Sequence, residues 1–228
     1  MSIAEFTDPI EIHDSLNPDI WDGEELRTDI RVALLKIAKE YYEFLDIQVP
    51  VMDLVVTGSQ ANYNYTEYSD LDLHLIVPYE KVKCDMAVDE LFRTKRDLWR
   101  ATRELTVRGV PVELYAEDVS KPVTGSTYSV VRGHWIKKPV PITGSYDKSA
   151  VMKLVSIWEK VIDNAVATDD LKTLESVKNL LKTFRQAGLD KSGEMNPANL
   201  TFKSLRNDGY VDRLLTAIKN LRDRTLSI

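Results

Sequence analysis

The stretch Thr57–Val77, TGSQANYNYTEYSDLDLHLIV, decides how the rest of the chain is read. An apolar run, residues 51–57, halts on a Gly-Ser pair, crosses a polar connector rich in tyrosine, and resumes as a second apolar run from Asp70. The alternation Asp70-Leu71-Asp72-Leu73-His74-Leu75 predicts a strand, because successive side chains of a strand point to opposite faces. Asp70, Asp72 and His74 then share one face and the leucines take the other. Neighbouring carboxylates at the edge of a core repel, and the usual relief is to protonate one of them or to bind a divalent cation. Oxygen ligands suit Mg²⁺, which completes its shell with water and phosphate oxygens. Gly58 offers a close-approach or positive-φ position, and Ser59 with the following backbone N–H groups is suited to cradle phosphate.

Outward from this stretch, apolar spacing from Leu26 to Leu45 predicts an amphipathic helix over residues 24–45. A second helix is predicted over 84–107 and stopped by Gly109, followed by a third strand, Val110–Ala116, which carries Glu113. Residues 119–146 are rich in Pro, Gly, Ser and Thr, with a hairpin expected at Arg132-Gly133. Beyond residue 146 the pattern is helical. Helices are predicted over 149–166 and 169–186, the latter capped by Asp169 or Asp170 and closed by Gly188. Asn196-Pro197 opens a further helix, and Gly209 separates it from a last one lined by Leu214, Leu215, Ile218 and Leu221. The expected architecture is α+β: a small mixed β-sheet flanked by helices over residues 1–146, and a helical C-terminal section over 147–228.

Composition bounds the function classes. The 228 residues carry a formal charge of −6, and residues 171–228 alone hold eleven Lys or Arg against six Asp or Glu. A basic helical section on an acidic body suits phosphate contacts from that side, although a solvated helix face is the more ordinary reading of such charges. Lys182, Arg185, Lys203 and Arg206 recur on helix faces there, and Lys203 with Arg206 share one face at i, i+3. The single cysteine, Cys84, excludes an intramolecular disulfide, and the acidic N-terminus lacks the order of a secretory signal. A cytoplasmic protein without membrane insertion or structural zinc is expected.

Gly58-Ser59, the spacing to Asp70-Leu71-Asp72, and the strands on either side resemble the signature of the polymerase-beta-like nucleotidyltransferase superfamily. The phrases LNPDIW, ALLKIA, YSDLDLHLIV, PVELY and NLTFKSLRNDGYVDRL are also similar to small bacteriophage-encoded nucleotidyltransferase-domain proteins. The resemblance implies a nucleotidyltransferase fold and a third metal-binding carboxylate on the next strand, where Glu113 stands. It implies two Mg²⁺ ions, or Mn²⁺ in their place, held by Asp70, Asp72 and Glu113. The terminal phosphates of an NTP such as ATP would be held by Gly58 and Ser59, with Lys203 and Arg206 as further phosphate contacts. A nucleoside monophosphate would then pass to an acceptor hydroxyl on RNA, a protein or a small molecule, with release of pyrophosphate. The alternative is a non-catalytic module that binds nucleotide or a partner on the same fold.

The remaining candidates have plainer readings beside functional ones. His74 reads as a hydrogen-bonding residue beneath the site sooner than as a general base. Tyr63, Tyr65 and Tyr68 either stack on a base or pack the connector onto the body, and Trp99 and Trp158 lie on apolar helix faces where core packing is expected. Glu117 and Asp118 are expected beyond the end of the third strand.

Overall fold

The computed structural model describes residues 11–83, 87–141 and 146–227. Cys84 and the first ten residues lie outside the described residues. The described residues divide into two compact units, one over 11–141 and one over 146–227.

In the first unit, β1 (Trp21–Asp22) and β2 (Glu25–Leu26) form a two-stranded ladder that turns at Gly23, φ 60°. The helix predicted from residue 24 therefore starts later, as α1 (Thr28–Leu45). Leu26 fits the helical spacing but is buried from a strand, a position that periodicity alone does not distinguish. Next come β3 (Asp53–Thr57), β4 (Leu71–Val77) and α2 (Val88–Thr102). The last predicted residues of the second helix are instead β5 (Thr106–Val107), which turns through Arg108 and Gly109, both at positive φ, into β6 (Val110–Asp118). Gly109 is thus a hairpin residue and not a helix stop. The hairpin expected at Arg132-Gly133 is present, joining β7 (Thr127–Ser129) to β8 (His134–Lys137).

Six of these strands make one sheet in the order β5-β6-β4-β3-β7-β8. The β4–β6 pair is parallel and the other pairs are antiparallel. A parallel pair needs a crossover, and α2 supplies it. Leu71, Leu73, Leu75 and Val77 of β4 are at most 2 % exposed and share a core with Ile30, Leu34 and Tyr41 of α1 and with Phe92 and Trp99 of α2. Burying each such leucine contributes about 1.5–3 kcal/mol. One face of the sheet is thereby committed to the helices.

The second unit contains α3 (Lys148–Thr168), α4 (Leu171–Ser192), α5 (Pro197–Asn207) and α6 (Tyr210–Leu226). Their apolar stripes meet in a separate core that includes Trp158, Ile162, Leu181, Leu200 and Ile218. Of the two candidate caps, Asp169 ends α3 in the left-handed region, while the Asp170 carboxylate accepts from Thr173 N and caps α4. Gly188 does not close α4, which continues to Ser192. A Cβ there would lie 2.7 Å from that of Ala198, so glycine serves the close approach of α5. Asn196 caps α5 with Pro197 in its first turn, as the sequence predicts.

Candidate active site on the polar face of the sheet

Opposite the leucines, β4 presents Asp72, His74 and Ile76, all half-buried. Strand register brings their neighbours into line. Thr57 of β3 pairs with Asp72, which pairs with Glu113 of β6. One pleat further Val55, His74 and Tyr115 lie abreast, and then Asp53, Ile76 and Glu117. Asp70 is the residue before β4, outside its ladder, and is half-buried.

Gly58 ends β3 at φ 76°, ψ −160°. A Cβ built on it would collide with the Asp72 carboxylate, whose Cγ would be 3.1 Å away. Only glycine lets the backbone pass this carboxylate. Ser59 opens a single 3-10 turn, Ser59–Ala61, anchored by the buried Gln60. Gln60 Oε1 accepts from Asn17 Nδ2 at 2.9 Å, its Nε2 donates to the Ser69 carbonyl at 3.1 Å, and its own carbonyl accepts from Trp21 Nε1 at 2.7 Å. The buried Gln60 amide thus ties the Ser59–Ala61 turn, of which it is part, to Ser69 at the far end of the connector. Tyr63 packs against the core, Tyr65 stacks on His13 with ring centres 3.8 Å apart, and Tyr68 is exposed. Packing the connector is the role observed for the first two.

Glu113 has two partners. Its Oε1 accepts from Arg100 Nη2 at 2.6 Å and its Oε2 from the Tyr115 hydroxyl at 2.5 Å. Burial first, and then the hydrogen bond to Glu113, raise the Tyr115 phenol above its usual pKa, with the Asp72 charge acting in the same direction. Tyr115 also stacks on His74, whose Nδ1 lies 3.0 Å from Glu117 Oε2. Glu117 is held in addition by Lys121. The His74 hydrogen bond is the largest cause, and Lys121 a further one, of a Glu117 pKa lowered to about 2. Because β6 runs to Asp118, Glu117 belongs to the strand and faces the site, contrary to the sequence expectation. His74 has the hydrogen-bonding role expected of it.

Further along the face Asp53, 6 % exposed, accepts from Ser129 Oγ at 2.7 Å and from Leu54 N at 2.8 Å. A cavity of about 370 Å³ lies against Val55, Thr57, His74 and Ile76, with residues 121–125 also lining it. It offers ring-sized space beside the register position of Asp72.

Oxygen is the donor atom of Asp70, Asp72, Glu113 and Ser59, and the lack of a Cβ at Gly58 brings open backbone to the Asp72 carboxylate. This donor chemistry fits a hard cation together with phosphate. Among the described residues no three His, Cys, Asp or Glu side chains are gathered into a metal-binding group. Lys203 and Arg206 stand on α5 of the helical unit, where Lys203 Nζ is 3.4 Å from Glu194 Oε2 and Arg206 is exposed.

Sequence reading missed Arg100, Tyr115, Glu117 and Asp53. Tyr115 and Glu117 follow Glu113 at the strand period, and Asp53 precedes Val55 and Thr57 at the same period, so alternation could have found them. Arg100 left no local signal, because its partner lies across a hairpin. No helix among the described residues is long and apolar enough to cross a membrane. No protein-family model, curated protein or solved structure matches the chain.

Proposed function

We propose that the sheet unit is a nucleotidyltransferase fold and that the protein is a metal-dependent nucleotidyltransferase. The observation that carries the reading is the register Thr57–Asp72–Glu113 across three adjacent strands, with Gly58 in contact range of the Asp72 carboxylate. Asp70, Asp72 and Glu113 would hold Mg²⁺ or Mn²⁺. Ions held by these carboxylates would supply positive charge against the phosphates and would favour ionisation of an acceptor hydroxyl.

The residues of the chain do the rest. Gly58 lets phosphate oxygens approach the backbone, and the Ser59 hydroxyl donates to one of them. The acceptor oxygen forms a bond to the α-phosphorus while the α–β bridging P–O bond breaks. Pyrophosphate leaves with that electron pair, and the acceptor proton passes to solvent or to a carboxylate. For Glu113 to take that proton, Arg100 or Tyr115 must first release one of its oxygens. His74, Glu117 and Tyr115 keep the sheet face rigid beneath the reacting groups.

The hold of Arg100 on Glu113 favours one second reading, a module on the same fold that binds nucleotide without turnover. Transfer from α-labelled ATP to RNA, protein or small hydroxyl acceptors, followed with pyrophosphate release in Mg²⁺, separates the two. Asp72→Asn and Glu113→Gln are expected to lower transfer by about a thousandfold, roughly 4 kcal/mol of barrier, with the thermal midpoint held or raised in Asp72→Asn and lowered in Glu113→Gln, which loses the ion pair with Arg100. Wild-type turnover in Asp72→Asn would overturn the transferase reading. ATP binding without pyrophosphate release from the wild type would establish the second.

A further inference from the structure

In the helical unit Arg185, Lys203 and Arg206 stand near one another, and among the described residues Lys203 forms an ion pair with Glu194. Arg185 of α4 donates Nε to Asn199 Oδ1 at 3.1 Å, and its guanidinium lies 4.4 Å from the centre of the Phe202 ring. Asn199 is 1 % exposed and donates Nδ2 to the Glu194 carbonyl at 2.8 Å, which fixes its orientation. Asn199, Phe202 and Arg206 follow one another at i, i+3 and i+7 on one face of α5, so Arg206 stands a turn beyond the ring that Arg185 covers. Lys203 lies beside them, on Glu194.

Among the described residues no carboxylate forms an ion pair with Arg185 or Arg206. The Glu194 charge acts on Arg185 as a smaller influence that raises its pKa. Burial, and then the like charge of Arg206, push the Arg185 guanidinium below its usual pKa. Partly desolvated cations are ordinarily paired. Here an amide and a ring hold the guanidinium in place, and among the described residues no hydrogen bond engages its Nη groups. A planar fork beside a second guanidinium and an ammonium matches the tetrahedral oxygens of a phosphoryl group.

We propose that Arg185, Lys203 and Arg206 form a phosphate-binding site of the helical unit, which takes the phosphoryl group of a polyphosphate or a phosphomonoester without needing a metal. Lys203 and Arg206 are the contacts expected from sequence. Arg185, positioned by Asn199 and Phe202, is the centre of the site and comes from the tertiary structure. The proposal shares phosphate chemistry with the transferase reading and does not depend on it.

Calorimetric titration of the full chain with pyrophosphate in EDTA tests the site. Saturable one-to-one binding is expected. Arg206→Gln and Arg185→Gln should each weaken it about tenfold or more, the worth of one charge-assisted contact, whereas Asp72→Asn should leave it unchanged. Arg206 is exposed, so its variant decides the matter even if Arg185→Gln does not fold. Displacement by ATP ahead of a 5′-phosphorylated oligoribonucleotide supports a site for the nucleotide, and the reverse order supports one for a phosphorylated acceptor. Absence of binding, displacement by neither competitor, or an affinity that Arg206→Gln leaves within about a factor of two overturns the site. Loss of transfer in Asp72→Asn would stand whichever way the titration falls.

Discussion

The two faces of β4 are built from alternate residues of one seven-residue strand and follow different rules. Leu71, Leu73, Leu75 and Val77 are closed over by α1 and α2, and their contribution is area removed from water. Asp72, His74 and Ile76 face a surface where ion pairs and hydrogen bonds satisfy the neighbouring charges, with Glu113 on Arg100 of α2, and Glu117 on His74 of the adjacent strand and on Lys121. A single parity step therefore separates groups that hold the fold from groups available for chemistry. A polar face costs stability when its charges are unmatched, and its retention beside a complete apolar face is what marks it as the candidate site.

Substitutions on each side of the strand test this division. The largest stability effect is expected from Leu73→Ala, which leaves a cavity in the helix-covered core and should cost about 2–5 kcal/mol. Chemical denaturation measures this, and pyrophosphate release per folded molecule should stay near wild type. A comparable loss of turnover among folded molecules would mean that the faces are coupled.

Gly58→Ala comes next. The new Cβ meets the Asp72 carboxylate at a backbone φ of 76°, so a cost of about 1–3 kcal/mol is expected. Transfer should fall further than stability does, because relief of the clash moves Asp72. Equal retention of turnover and of midpoint would show that the close approach has no functional role.

The smallest effect concerns acid. The pKa of Glu117 is depressed from 4.5 to about 2, so its contribution is present above pH 4.5 and is lost as pH falls through 4.5 towards 2. Glu117→Gln should lower stability at pH 7 by on the order of 1 kcal/mol and flatten the loss between pH 4.5 and 2. Urea midpoints of both proteins at about pH 7 and about pH 3 check the sign. A variant whose deficit is as large in acid as at neutrality would place the interaction in packing and not in charge.

Local pattern carries much of the fold. The strand at Leu71–Val77, the stop at Gly58, the hairpin at Gly133 and the Asn196-Pro197 helix start are legible because each depends on nearest-neighbour geometry or on period, although Asp70, expected within that strand, stands just before it. The start of α1 is not, because Leu26 satisfies a helical period and a strand burial alike. Nor is the end of α2, because a Gly that can close a helix also serves a hairpin once Arg108 accepts positive φ. The end of β6 falls later than its residue types suggest. Glu117 and Asp118 look like loop residues, while pairing with Ile76 and Val77 extends the strand through them.

Which side chains are offered to each face follows from alternation, and alternation is written in the order of residues. Asp72 and the cradle candidates Gly58 and Ser59 are therefore legible in the chain itself, since no distant contact is needed to place them. Partners are another matter. Arg100 reaches Glu113 across the β5–β6 hairpin, His74 meets Glu117 from a distant point in the sequence, and Arg185 meets Asn199 between two helices. Those contacts depend on strand register and helix packing, which are set by burial of the apolar faces, so no local spacing in the chain records them.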